Sequence, residues 1–93
     1  MIKTFRDKNT EKIYSGERFK GISTDLAKKA RRRLAILNRA IQLEDLYFPP
    51  SNQFHALSGY TPTRYAIAVD KQWRLTFEWH EGDVYDAFFE DYH

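Results

Sequence analysis

A chain of 93 residues makes one domain, here expected to span residues 1–93, with a thin core that seven Phe, six Tyr and two Trp would thicken. It holds no cysteine, which excludes a disulfide framework and any thiolate site. The net charge of +2 hides a division: residues 1–40 carry twelve Lys/Arg against four Asp/Glu, and residues 41–93 carry three against nine. A polyanion partner would fit the first part, although a solvated charged helix gives the same count.

Ile2 to Phe5 alternates weakly and reads as a short first strand. Asp7 can cap a short helix through Tyr14, stopped by Gly16. Residues 15–21 are polar with two glycines and read as a loop. Ser23, Thr24 and Asp25 then start a long helix. Leu26, Ala30, Leu34, Leu37 and Ile41 form its apolar stripe, and Lys28, Lys29, Arg31, Arg32, Arg33 and Arg39 fill the remaining circumference. Residues 43–46 add a last turn or a short further helix, ended by Pro49 and Pro50.

Beyond Pro50 the period changes to two. Residues 53–57 are a short extended piece, and Gly59, Thr61 and Pro62 make a loop. Tyr65, Ile67 and Val69 alternate with polar or small residues, as do Trp73, Leu75, Phe77 and Trp79. Glu81-Gly82-Asp83 reads as a hairpin turn before a last strand over residues 84–89. The expected fold is therefore α+β. A short N-terminal strand and an antiparallel sheet of three to four strands pack on one long and one or two short N-terminal helices. The face of the Trp73 strand away from the long helix should present Arg74 and Thr76. No apolar run approaches the ~20 residues of a membrane span. The opening residues lack the apolar stretch of a signal peptide. A cytoplasmic protein that does not engage a membrane is expected.

The chemistry-bearing residues left are histidine, carboxylate, tyrosine and arginine. They suffice for cleaving RNA without a metal, because the substrate's own 2′-hydroxyl is the nucleophile. The protein need supply a base, an acid and a cation for the phosphate. His55 lies opposite Phe54 in strand alternation and could move a proton; it could equally be an ordinary, partly buried histidine. Asp91, Tyr92 and His93 directly follow a strand, which could hold them beside the sheet, although terminal residues often fray. Arg74 interrupts an aromatic strand and could hold a phosphate or merely cover apolar groups; Arg64 is a weaker case of the same kind. His55, His80 and His93 are too far apart to form a tight ligand pair, so no metal or other cofactor is expected. Trp73 and Trp79 read as core, not as base-stacking platforms.

Together these residues resemble the HigB branch of the RelE/ParE toxin superfamily. The opening Met1 to Phe5 is similar to that family's start. Phe54-His55-Ala56-Leu57-Ser58-Gly59 resembles its His-Pro-Leu-Lys-Gly stretch, and Trp73-Arg74-Leu75-Thr76-Phe77-Glu78 its Trp-Arg-Ile-Thr-Phe strand. Gly82-Asp83-Val84-Tyr85 resembles its Gly-Asp-Ala-Tyr turn, and Glu90-Asp91-Tyr92-His93 its ending. The resemblance implies a RelE/ParE-like fold and a ribosome-dependent mRNA endonuclease. It also implies a HigA-type antitoxin carrying a helix-turn-helix, with operator DNA reached only through that antitoxin. It places His55, Asp91, Tyr92 and His93 at the active centre with Arg74 on the phosphate, and leaves open which histidine is base and which is acid. Lys28, Lys29, Arg31, Arg32, Arg33 and Arg64 would contact RNA or the ribosome. The superfamily also includes ParE-type gyrase poisons, and a basic helix can block rRNA without cutting it, so a non-catalytic inhibitor is the alternative. Ala56, Ser58, Gln72 and the Tyr60–Thr63 loop depart from the pattern and bear on rate and codon preference.

Overall fold

A computed structural model describes residues 1–92. Two helices precede a four-stranded antiparallel sheet, the α+β arrangement expected. Helix α1 spans Lys8–Tyr14 and α2 spans Thr24–Arg39. The strands are β1 His55–Leu57, β2 Arg64–Ala68, β3 Trp73–His80 and β4 Asp83–Asp91, adjacent in that order. Two 3₁₀ turns, Leu43–Tyr47 and Pro50–Asn52, lie between α2 and β1. No helix among the described residues is long and apolar enough to cross a membrane.

Both helices begin on side-chain caps. The Asp7 carboxylate accepts the Thr10 N–H at 3.0 Å, and Ser23 Oγ accepts the Leu26 N–H at 3.1 Å. Thr10 is fully buried and extends the first anchor, since its hydroxyl accepts the Phe89 N–H at 2.9 Å and ties α1 to β4. Gly16 stops α1 at a φ of +87°, where a side chain would be strained.

Ala27, Ala30, Leu34 and Leu37 of α2 share one core with Ile67, Leu75, Phe77 and Val84 of the sheet. The stripe differs from expectation at both ends. Leu26 is half-buried and Ala27 packs inward, while Ile41 lies beyond the helix and is 82% exposed. The cause is local: Asp45 Oδ2 accepts the N–H groups of Ile41 and Gln42 at 2.9 and 3.1 Å, turning the chain away after Ala40. Those two hydrogen bonds, that from Ile41 first, hold the Asp45 carboxyl below its ordinary value because they favour its charged form. A pKa lowered on folding adds stability above the unfolded value, which is lost as pH falls through the folded one. This turn therefore loosens in acid. At the centre of the stripe, Leu34→Ala should cost about 3 kcal/mol, read as a lower urea midpoint at unchanged m-value.

Glu81 and Gly82 take φ of +51° and +85°, the geometry of a tight two-residue hairpin, and bring β4 back along β3. Thr76 then pairs with Phe88, but Glu78 pairs with Tyr85. Strand β4 thus carries one extra residue opposite Phe77, a β-bulge, with Asp86 at a φ of +55°. Val84 and Ala87 both enter the core although three residues apart, and alternation restarts from there. Phe89 faces α2, while Phe88 and Glu90 face outward. The N-terminal segment expected as a strand runs parallel to β4 in two isolated bridges, Ile2 with Val84 and Phe5 with Ala87.

Candidate active site

The face of the sheet away from α2 is built across all four strands. Register places His55 of β1 beside Ala66, Ala66 beside Thr76, and Thr76 beside Phe88. The next row is Ala68, Arg74 and Glu90. His55 and Arg74 thus share a face two strands apart, roughly 12 Å between Cα atoms by ordinary sheet spacings. Only the methyls of Ala66 and Ala68 stand on the strand between them.

His55 is exposed, and its ring is held by Nδ1, 2.8 Å from the carbonyl of Gln53. A carbonyl can only accept, so Nδ1 carries the proton and Nε2 of the neutral ring is the acceptor. Gln53 can present that carbonyl because it leaves the Pro50–Asn52 turn in a left-handed conformation, φ +49°. Strand β1 is consequently two residues shorter than expected. Phe54, on the opposite face, stacks on Tyr65 and fixes the direction of the strand.

Arg74 is half-buried. Its Nε donates to Glu90 Oε1 at 2.7 Å, Nη2 lies 2.6 Å from the same oxygen in an ion pair, and Nη1 has no hydrogen-bond partner among the described residues. The guanidinium lies 4.7 Å from the centre of the Tyr92 ring, so Glu90 and Tyr92 together fix the fork. Tyr92 is itself anchored: its N–H donates to the Gln72 carbonyl at 2.8 Å. Asp91 lies in register with Trp73, whose ring stacks on Phe89, so it points to the face opposite Tyr92; Gln72 Nε2 donates to its carboxylate at 2.9 Å. His93 lies outside the described residues. Gln53 holds the histidine through its backbone carbonyl, which motif reading does not show, and Gln72 holds the tail through its carbonyl and its side-chain amide together.

Arg64 is placed elsewhere than expected. It is 2% exposed, and its guanidinium is taken up inside the sheet. Nη1 donates to Asp86 Oδ2 at 2.8 Å, and Nη2 donates to Thr76 Oγ1 at 3.0 Å and to the Asp86 carbonyl at 2.9 Å. Glu78 lies 3.6 Å away. A cation so enclosed is not presented to a phosphate, and Thr76 beneath it is buried, not displayed as the alternation suggested. Arg6 shares the same Asp86 oxygen, and that hydrogen bond raises the Arg6 pKa above its ordinary value.

The cations of α2 divide. Lys28, Lys29, Arg31 and Arg32 are exposed. Arg33 leans on the 3₁₀ turn, donating to Asn52 Oδ1 at 2.7 Å and to Ser51 Oγ at 3.4 Å. Among the described residues, no group of three or more His, Cys, Asp or Glu is placed to hold a metal ion.

Residues 3–93 match the family model described as RelE-like toxin of type II toxin-antitoxin system HigB. Toxin HigB-1 of Vibrio cholerae serotype O1 is 34% identical over 89 residues, 95% of this chain and 94% of its own. Endoribonuclease HigB of Proteus vulgaris is 28% identical over 93 residues, the full length of both chains. The chain belongs to the HigB-like family of RelE-like toxins, the toxin half of type II toxin–antitoxin systems.

Proposed function

We propose that this chain is an endoribonuclease that cuts ribosome-bound mRNA, arresting translation and growth in the cytoplasm. The observation that carries the reading is His55: its Nδ1–H is engaged by a carbonyl, its Nε2 is an acceptor, and it shares with Arg74 and Tyr92 the sheet face away from α2. The Proteus vulgaris relative is named an endoribonuclease.

In this mechanism His55 Nε2 takes the proton from the 2′-hydroxyl. The 2′-oxygen attacks phosphorus, the bond from phosphorus to the 5′-oxygen breaks, and a 2′,3′-cyclic phosphate is left. The departing 5′-oxygen receives a proton from the tail, where His93 is the acid by its chemistry. Arg74 stabilises the charge that builds on the phosphate oxygens, with its fork aimed by Glu90. Tyr92, backed by that cation, positions a base by stacking. Asp91, held by Gln72, sets the direction of the tail. No step needs a metal, because the substrate supplies its own nucleophile.

The exposed Lys28, Lys29, Arg31 and Arg32 steer docking to the ribosome, a dense polyanion. Membership of a type II system calls for a cognate antitoxin. We assign it to the HigA type, with the helix-turn-helix and operator contacts on the antitoxin.

Sequencing RNA 5′ ends after brief induction tests this. New ends should fall within translated regions and vanish when initiation is blocked. DNA damage with intact mRNA would replace this reading with gyrase poisoning.

A further inference from the structure

One cleft lies just beyond the candidate active site. It encloses about 520 Å³, within the range of ligand-binding clefts, where the ends of β2 and β4 meet the start of β1 and the side of α2. Ala68 and Tyr92 border it, Lys29 and Arg33 line it from α2, and Gln53 and Lys71 line it from the loops. A second hollow of about 340 Å³ shares Lys29, Arg33 and Val69 and continues toward Arg32. The two form a track that runs from Tyr92 along the basic side of the helix.

The lining groups differ in what they can offer a ligand. Arg33 is spent on Asn52 and Ser51 and braces one wall. Asp70, a carboxylate in the lining, is turned into the β2–β3 connection, where Oδ1 accepts the N–H groups of Gln72 and Trp73, both at 2.8 Å. Lys29 and Lys71 are exposed, and neither forms an ion pair among the described residues. Two uncommitted ammonium groups and one aromatic edge are the parts of a single-strand nucleic-acid groove: charge for the backbone, a ring for a base. Gln53 belongs both to the cleft and to the hydrogen bond that orients His55, so the cleft adjoins the proposed scissile position.

We infer that this cleft seats the RNA nucleotide next to the scissile one, with Lys29 and Lys71 neutralising its phosphate. The inference rests on the endonuclease reading and adds to it a subsite in which Lys71, Gln53 and Lys29 extend substrate binding beyond the reacting centre.

The probe is a fluorescein-labelled 2′-O-methyl hexaribonucleotide, which has no free 2′-hydroxyl and cannot be cut. Its affinity for the full chain is measured by anisotropy across a salt series. Each single-strand phosphate contact contributes about 0.7 to the slope of log affinity against log salt. Lys29→Ala and Lys71→Ala should each flatten the slope by part of that amount, and the double variant by about the whole of it. Lys8→Ala, on the exposed side of α1, should leave the slope unchanged. Cleavage of mRNA on programmed ribosomes is followed in parallel. If the parent cuts but the slope is the same with and without both lysines, or the parent binds no hexanucleotide at low salt, the subsite is refuted and the endonuclease reading stands. If the parent does not cut, both are refuted.

Discussion

Replacing His55 by alanine should lower RNA cleavage by roughly 10²–10⁴-fold, the usual contribution of a positioned proton-transfer group. The fold should hardly notice. His55 is exposed, and its hydrogen bond to the Gln53 carbonyl is local, so the loss of stability should stay within about 0.5 kcal/mol. That separation of effects is what makes the test sharp, because an exposed residue with no structural role has no indirect route to a large loss of rate. His55→Gln refines it: glutamine can donate to the same carbonyl but cannot act as a base, so it should be as slow as alanine. Single-turnover cleavage of mRNA on programmed ribosomes, beside urea denaturation of each variant, gives both readings. A His55→Ala chain cutting at the parent rate would remove the histidine from the mechanism. The base would then have to come from the tail.

Local chemistry in the sequence carried much of this structure. The caps at Asp7 and Ser23, the stop at Gly16 and the tight turn at Glu81-Gly82 depend on neighbours within four residues, and each was readable. The alternation through Trp73, Leu75 and Phe77 gave the core face of β3 for the same reason. What was not readable depends on partners far along the chain. Ile41 continues the helical period, yet Asp45 takes its N–H and turns the chain out. Arg64 looks like a surface cation by composition, but its partners stand 12 and 22 positions away and draw it under the surface. Asp91 and Tyr92 were grouped by adjacency in a motif, whereas a strand sends neighbouring side chains to opposite faces. The motifs named the candidate residues, and the register decided which of them share a face.

The residue that sets this register is Asp86, and its replacement should have the largest effect on the fold of any single change near the site. An unbulged β4 continuing from Val84 would send residues 86, 88, 90 and 92 toward α2. That would bury Glu90 and Tyr92 and expose Phe89. The bulge at Asp86 reverses the assignment and delivers Glu90 and Tyr92 to the face that carries Arg74 and His55. Asp86 is suited to this by two properties. Its short polar side chain tolerates the left-handed backbone, and its carboxylate holds both Arg6 and the buried Arg64. Asp86→Ala leaves a nearly inaccessible guanidinium with only Thr76, a backbone carbonyl and the longer contact to Glu78, which should cost about 3 kcal/mol. Asp86→Asn keeps the backbone preference and a hydrogen-bond acceptor while losing the charge, and should cost about half as much. Asp86→Val loses the carboxylate and also favours regular strand, so it should be the least stable of the three. Urea midpoints in the order Asn, Ala, Val, with cleavage falling faster than stability as the tail loses its face, would match this account. Three variants as stable as the parent would mean that the bulge is held by something other than Asp86.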